Sequence, residues 1–562
     1  MTRAAPLTAA DVARCTHRVA LERGSVLDHV RPELSVEIER RIREARYHRE
    51  HVMSLIVATH PDTVHVDGIT STTNAMTSGA RVIAHARLSD SERSRRVSTV
   101  DLLVRTGTDT PTYVPIIIKN NEVTESASTR RILEGSLSDL TPDSANWTGG
   151  VGVRKNDVMW RNGVALDHAT RILQANGFGD LERRGGLVDR NSRLWWFDLE
   201  NSEWGRWSLG RYDESFDERR EILEGHDQWF EGKSPFPTTP YWHRECLTCP
   251  FESSCEDALS LSDDVSLVRF TNREQQILLR EHGVQTRQKL AELNPVLARQ
   301  VRGASAATVA RSTEEHLGRS IDKLDELIYR ARVAVAKSSL LICDPGSVSC
   351  PTADVEVDID MESYDDVTYL WGALVTTRRS VAGVTDGYFP FVSWEPLTGQ
   401  VESDVFRSFW QWFSDLSVTV RDAGANLAAY CFWAQAENSA MNRAASFDGD
   451  ASLHAAISDF RRREPSEWID LHDVIKHQIQ TDGPLGLKKL AQATGFSWRE
   501  ANPSGETSMT WYEHAIESTN EAAILARTRL LEYNEDDCRA TRALREWLNG
   551  DARQLAHRDE WP

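Results

Sequence analysis

Apolar and polar positions divide the chain into three stretches of different periodicity. In the first, a helix through Ala45-Arg46-Tyr47-His48-Arg49-Glu50 precedes three apolar runs at 81–88, Val97–Arg105 and 113–119, each of strand length. Residues 265–338 carry no strand-like alternation and read as almost entirely helical and locally basic. From Val355 onward strands and helices alternate again, as in an α/β or α+β domain. Asp344-Pro345-Gly346-Ser347, rich in turn formers, marks a linker just before it. The expected fold class is α/β multidomain, with divisions at 1–262, 263–345 and 346–562 and no internal repeat.

Composition narrows the function classes. A chain of 562 residues exceeds one ordinary core, and 40% hydrophobic with 27% charged residues suits a globular protein. No apolar run approaches the ~20 residues that span a bilayer, so no membrane partner is expected. Met1-Thr-Arg-Ala-Ala-Pro6 lacks the apolar stretch of a signal peptide, which leads us to expect a cytoplasmic protein. In that compartment the eight cysteines read as metal ligands or buried thiols rather than disulfides. The net charge of -20 argues against a nucleic-acid partner for the surface as a whole, yet a local basic groove is compatible with it.

Candidate chemistry lies at three places. Cys246-Leu247-Thr248-Cys249 and Cys255 put three thiols in one turn-rich stretch, and Cys15, far away in sequence, is the candidate fourth ligand. Iron–sulfur and zinc both remain open on spacing alone. In the helical middle, Leu279-Arg280-Glu281-His282-Gly283-Val284-Gln285-Thr286 has the form of a helix-hairpin-helix, which would offer turn N–H groups to a phosphate; a plain helical connector with a glycine cap fits equally. The third place is Val355-Glu356-Val357-Asp358-Ile359-Asp360-Met361-Glu362. Strand alternation points Asp360 and Glu362 to one face, where paired carboxylates can hold divalent cations. Asp358 shares that face and is a possible substitute. Tyr533 and Asp537, four apart in Leu531-Glu532-Tyr533-Asn534-Glu535-Asp536-Asp537, share a helix face.

These motifs resemble two nuclease types. The Asp-x-Glu with a distant Tyr-x-x-x-Asp resembles the tyrosine-bearing branch of the DEDD exonucleases, which have a ribonuclease-H-like fold. Ala429-Tyr430-Cys431-Phe432-Trp433-Ala434-Gln435-Ala436-Glu437 is similar to their middle motif, with Glu437 where the archetype has Asp. The cysteine bracket, enclosing the His48 helix and three strands, resembles the iron–sulfur nucleases of the RecB family, whose N-terminal domain is restriction-endonuclease-like. That resemblance implies a [4Fe-4S] cluster on Cys15, Cys246, Cys249 and Cys255. It also implies a metal site with Asp101 as ligand, His48 as a further ligand and Lys119 beside the attacking water. Here the chain departs from the pattern, because Ile117 stands where a carboxylate is expected two residues before Lys119; Glu122 lies nearby. The Gln-x-x-x-Tyr of the following helix is also missing around Leu166-Asp167-His168-Ala169-Thr170.

Taken whole, the chain resembles RecB-like nucleases that carry a C-terminal ribonuclease-H-like domain. The resemblance implies Mg²⁺- or Mn²⁺-dependent hydrolysis of single-stranded DNA or RNA, 3′ to 5′, with Asp360, Glu362, Glu437 and Asp537 on the metals and Tyr533 orienting water. An iron–sulfur binding scaffold or redox sensor with degenerate nuclease sites is the alternative.

Overall fold

The computed structural model describes residues 6–23, 36–90, 95–107, 110–200, 209–301, 312–336, 340–344, 346–365, 367–447, 449–463, 465–500, 505–517 and 520–560. Pro345 of the expected linker lies outside them. The chain divides into two compact units, Met1–Ala258 and Leu259–Pro562, each described here by itself. No described helix is long and apolar enough to cross a membrane.

The first unit is built on one eight-stranded sheet. Its strands are β1 (Val64–His65), β2 (Val82–Ser89), β3 (Val97–Arg105), β4 (Tyr113–Ile118), β5 (Thr124–Gly135), β6 (Asn146–Val153), β7 (Arg184–Val188) and β8 (Leu194–Asp198). Their order is β1-β2-β3-β4-β7-β8-β5-β6. The three apolar runs read from the sequence are β2, β3 and β4, paired antiparallel as a meander. β4 pairs parallel with β7, across a connection that contains the helix Asp157–Ala175.

Both faces of the sheet's middle are covered, so β3, β4, β7 and β8 are largely apolar on both sides, whereas β1, β5 and β6 are mostly exposed. Val52, Met53 and Ile56 of the helix Val36–Thr59 pack with Ala84, Leu102, Ile116 and Ile118. Leu166, Ala169 and Ile172 of Asp157–Ala175 pack with Ile83, Leu103 and Ile117 on the other face. Alternation breaks at His85, whose φ of 61 is left-handed in mid-strand. Beyond it Ala86 joins the core of Ile83, and Val100 opposite joins that of Leu103. The skipped partner across the sheet is Asp101, which is thereby turned toward the helix Val36–Thr59.

The second unit begins with short helices, Arg273–Glu281, Arg287–Ala291, Pro295–Gln300, Thr313–Ser320 and Leu324–Val335. β9 (Leu340–Ile342) follows, and then a five-stranded sheet made of β10 (Val355–Tyr364), β11 (Val367–Thr377), β12 (Gly387–Val392), β13 (Leu427–Cys431) and β14 (Trp468–Asp470). The order is β12-β11-β10-β13-β14; β11 runs antiparallel to both its neighbours, while β13 and β14 run parallel to β10. β15 (Ile479–Thr481) pairs with β9 apart from this sheet. One face is covered by Phe406, Phe409 and Phe413 of the helix Gly399–Asp422, which pack on Val355, Val357 and Ile359. The alternate residues of β10 are acidic and face the long helix Glu521–Asn549, through contacts described below. One strand thus presents an apolar row to the core and a carboxylate row to a single helix.

Candidate active site

The carboxylate row of β10 is divided by its partners. Asp358 is fully buried and bound by Arg545, Nε to Oδ1 at 2.9 Å and Nη2 to Oδ2 at 3.0 Å, and Arg545 also pairs with Glu356. Asp358 is therefore spent on a structural ion network and does not replace Asp360. Two and four residues further along the strand no arginine intervenes. Asp360, Glu362 and Asp537 bring carboxylate oxygens within 4.8 Å of one another, the one such cluster of metal-ligand type among the described residues.

Burial and mutual repulsion set the protonation of this cluster. Desolvation, then the charges of Asp537, Glu362 and Glu437, raise Asp360 well above the usual carboxylate range. Glu362 is pushed up to about 8 by burial and by Asp537. Asp537 is raised to about 6 by burial, with Lys488 and the Trp498 indole pulling it back. Glu437, at the start of the helix Ala434–Phe447 that follows β13, is pushed up to about 8 by burial and then by Asp470. Its Oε2 is buried with no hydrogen-bond partner. Four carboxylates, one with an orphaned oxygen, are costly unless protons or cations neutralise them. An all-oxygen donor set fits a hard divalent ion.

Neighbouring side chains hold three of the four carboxylates in place. Ser508 Oγ donates to Glu362 Oε2 at 2.9 Å, Trp498 Nε1 to Asp537 Oδ1 at 2.7 Å, and Asn534 Nδ2 to Asp360 Oδ2 at 2.8 Å. Asn534 is itself fixed by the Tyr388 hydroxyl at 2.7 Å. It lies so close over β11 that a Cβ at Gly372 would overlap its carbonyl oxygen, which is why that position is glycine. Tyr533 is buried; its hydroxyl bonds to Asp537 and accepts from Lys488 Nζ at 2.7 Å. Burial and the surrounding carboxylates raise its phenol far above the usual value.

The RNase H superfamily model matches residues 407–549. The C-terminal region is RNase H-like. The match takes in Glu437, Tyr533 and Asp537, while Asp360 and Glu362 on β10 precede it. No curated protein and no solved structure matches the chain. An RNase H-like domain suggests a nuclease-type hydrolase, and nucleases of this kind use divalent metals, for which the acidic cluster supplies ligands. Lys488, Trp498, Ser508 and Asn534 were not singled out from the sequence as site residues. Asn534 lies inside the Leu531–Asp537 stretch read there, whereas Trp498 and Ser508 reach the site from segments with no pattern pointing to it.

The other expected nuclease residues lie in the first unit. Asp101 is 9% exposed, and both its oxygens are engaged: Oδ1 by Arg49 Nε at 3.0 Å, Oδ2 by the Ile118 backbone N–H at 2.7 Å. Lys119, at the end of β4, is lowered by burial, with Asp101 opposing the shift. His48 is lowered by burial and lies against Asp189 and Arg190. Ile117 is buried in the core against the helix Asp157–Ala175, and Glu122 pairs with Arg154 instead of turning inward. The structure thus brings Asp101 and Lys119 together, but no group of three metal-ligand side chains forms there among the described residues. Arg49, passed over in the sequence, takes the place beside Asp101 where a cation would be wanted.

The four cysteines converge. Cys15, Cys246, Cys249 and Cys255 line one pocket with Tyr241, His243 and Phe251, and all are free thiols. Burial is the first cause of each raised thiol: Cys246 to about 11, Cys255 to about 12, with Cys15 and Cys249 also up. Glu245 ties the two ends of the bracket, accepting from the Cys15 N–H at 3.0 Å and from Arg18 at 3.3 Å. No three of the sulfurs lie within 4.8 Å of one another. A single tetrahedral zinc, with Zn–S of about 2.3 Å, needs sulfurs about 3.8 Å apart.

The hairpin-like turn in the middle segment is satisfied internally. Gly283 (φ 79) follows Arg273–Glu281, and Thr286 caps Arg287–Ala291. Arg280 pairs with Asp264, Arg287 with Asp263 and Arg299 with Asp325, while Lys289 Nζ donates to the Gly283 carbonyl.

Proposed function

We propose that the protein is a metal-dependent nuclease whose catalytic centre is the RNase H-like site, acting on single-stranded nucleic acid from its 3′ end. The observation that carries this is the convergence of Asp360, Glu362 and Asp537, with Glu437 keeping an unpartnered buried oxygen beside them. Mg²⁺ or Mn²⁺ would be held by these four carboxylates, and when bound would neutralise the scissile phosphate and lower the pKa of water. The remaining work falls to the chain. Tyr533, held by Lys488 and Asp537, orients a water for attack on phosphorus; the bond from phosphorus to the 3′ oxygen breaks, releasing a 5′-nucleotide and a strand with a new 3′ hydroxyl. Trp498, Ser508 and Asn534 keep Asp537, Glu362 and Asp360 from rotating.

For the first unit we propose a RecB-like scaffold stapled by a [4Fe-4S] cluster on Cys15, Cys246, Cys249 and Cys255. Support comes from thiols of both ends of the bracket, 15 and 246–255, lining one pocket. Anaerobic reconstitution followed by iron and sulfide counting and electron paramagnetic resonance tests it. One zinc per chain, or no metal retained, would sink the cluster assignment.

Catalysis is tested by digesting 3′- and 5′-labelled single-stranded DNA and RNA with Mn²⁺, comparing wild type with Asp537→Ala. Loss of cleavage in the variant is expected. Cleavage at the wild-type rate would move the chemistry to the first unit.

A further inference from the structure

The site around Asp101 keeps the layout of a metal site but has the balance of an anion site. The Asp101 carboxylate is saturated, by Arg49 Nε and the Ile118 N–H. Around it stand donors that lack acceptors among the described residues. His48 Nε2 is buried with no hydrogen-bond partner. Arg49 meets Asp101 through Nε and is half-exposed, so its guanidinium can also reach a ligand in solvent. The Lys119 ammonium is drawn by the charge of Asp101 but donates to nothing. The fold explains this convergence. His48 and Arg49 continue, three and four residues earlier, the stripe of Val52 and Met53 that packs on the sheet. The Lys119 N–H binds the Val188 carbonyl, placing the end of β4 beside Asp189, which His48 also meets.

We infer that this is a cation-independent phosphodiester-binding site, in which the Arg49 fork, Lys119 and His48 grip a backbone phosphate where relatives would hold a metal. The inference rests on nucleic acid being the ligand of this protein, as proposed above. A guanidinium offers paired parallel donors to phosphate oxygens and a lysine offers a point charge, so neither needs a metal to bridge to the strand. The same Arg49 makes a divalent ion unwelcome, since it already neutralises Asp101.

The test is fluorescence anisotropy of the full-length protein with a labelled single-stranded oligodeoxynucleotide in EDTA, where no metal-dependent cleavage occurs. Arg49→Gln and Lys119→Gln should each weaken binding about tenfold, and each should flatten the log–log salt dependence by about one. Asp101→Asn keeps an acceptor for the Ile118 N–H but removes the negative charge, so it should tighten binding. That sign is decisive, because a misfolded protein does not gain affinity and a metal site would lose it. Unchanged affinity in both glutamine variants, weaker binding by Asp101→Asn, or binding that appears only with Mn²⁺ would overturn the proposal. None of these readings depends on where cleavage occurs, so failure of the nuclease assignment would show separately, in the labelled-strand digestion.

Discussion

Asp101 in the first unit and Asp360 in the second both sit on an interior strand of a sheet facing a long helix, and they end in opposite chemical states. Asp101 meets an arginine and a backbone N–H, and its charge is answered by protein. Asp360 meets Glu362, Asp537 and Glu437; the amide of Asn534 donates to it and the more distant charge of Lys488 offsets only part of that repulsion. The carboxylate itself is the same; what the facing helix carries decides whether the place asks for a cation or supplies one. Within β10 the contrast recurs on a smaller scale. Asp358 faces Arg545 and is structural, while Asp360, the next residue on that face, faces Asp537.

The sharpest test of this contrast is paired removal. Asp360→Ala should lower Mn²⁺-dependent cleavage by about a thousandfold or more, because the remaining carboxylates cannot hold the ion in place. Asp101→Ala, assayed on the same labelled strand at saturating concentration, should stay within about threefold of wild type. Comparable losses in both would erase the distinction.

A second test tries to restore what the first site lacks. Ile117→Glu puts back the carboxylate two residues before Lys119, but Ile117 points into the core beside Leu166, Leu103 and Leu187. The buried charge should cost on the order of 3 kcal/mol, read as a lower urea midpoint, without conferring metal-dependent cleavage. A stable variant that cuts when Asp537 is also replaced would mean that the site is one residue away from activity.

A third concerns a residue with no counterpart at Asp101. Lys488→Ala removes the donor to Tyr533 and should reduce kcat about tenfold or somewhat more, with KM little changed. Lys488→Arg should recover part of the loss. An effect on KM alone would make Lys488 a strand-binding residue rather than one that positions the phenol.

How much of this was legible depended on whether a residue's partner could be read from periodicity. Alternation along 355–362 gave the shared face of Asp360 and Glu362, and helix spacing gave that of Tyr533 and Asp537. Nothing local separated Asp358 from Asp360, because the choice is made by Arg545, nearly two hundred residues later. Ile117 announced its own defect. Arg49 did not, because its role depends on the left-handed turn at His85 that swings Asp101 to the other face of the sheet. Strand alternation alone would leave Asp101 on the side of Leu103. The strands β2, β3 and β4 were plain from their apolar runs, since a sheet covered on both faces writes itself as continuous hydrophobic stretches.

The smallest effect separates the two units by pH and metal together. Asp537, Glu362 and Glu437 titrate in the fold at about 6, about 8 and about 8, above their ordinary values near 4. A carboxyl group raised in the folded state contributes stability that is complete below its unfolded pKa and lost as pH rises through the folded one. Without metal, the second unit should therefore lose stability, on the order of a few kcal/mol, between about pH 4 and pH 8. The first unit holds a raised carboxyl of its own: Asp167, pushed up by burial, with both oxygens buried without a partner and outside any three-ligand cluster among the described residues. It too should weaken as pH rises. Mn²⁺ should restore the second transition, by replacing protons with a cation, and leave the first unchanged, whereas Asp167→Asn should flatten the first alone. Scanning calorimetry with and without Mn²⁺ across this range reads both transitions. Restoration of the first transition by metal would show that the N-terminal unit binds a cation after all, and would return Asp101 to the metal ligands.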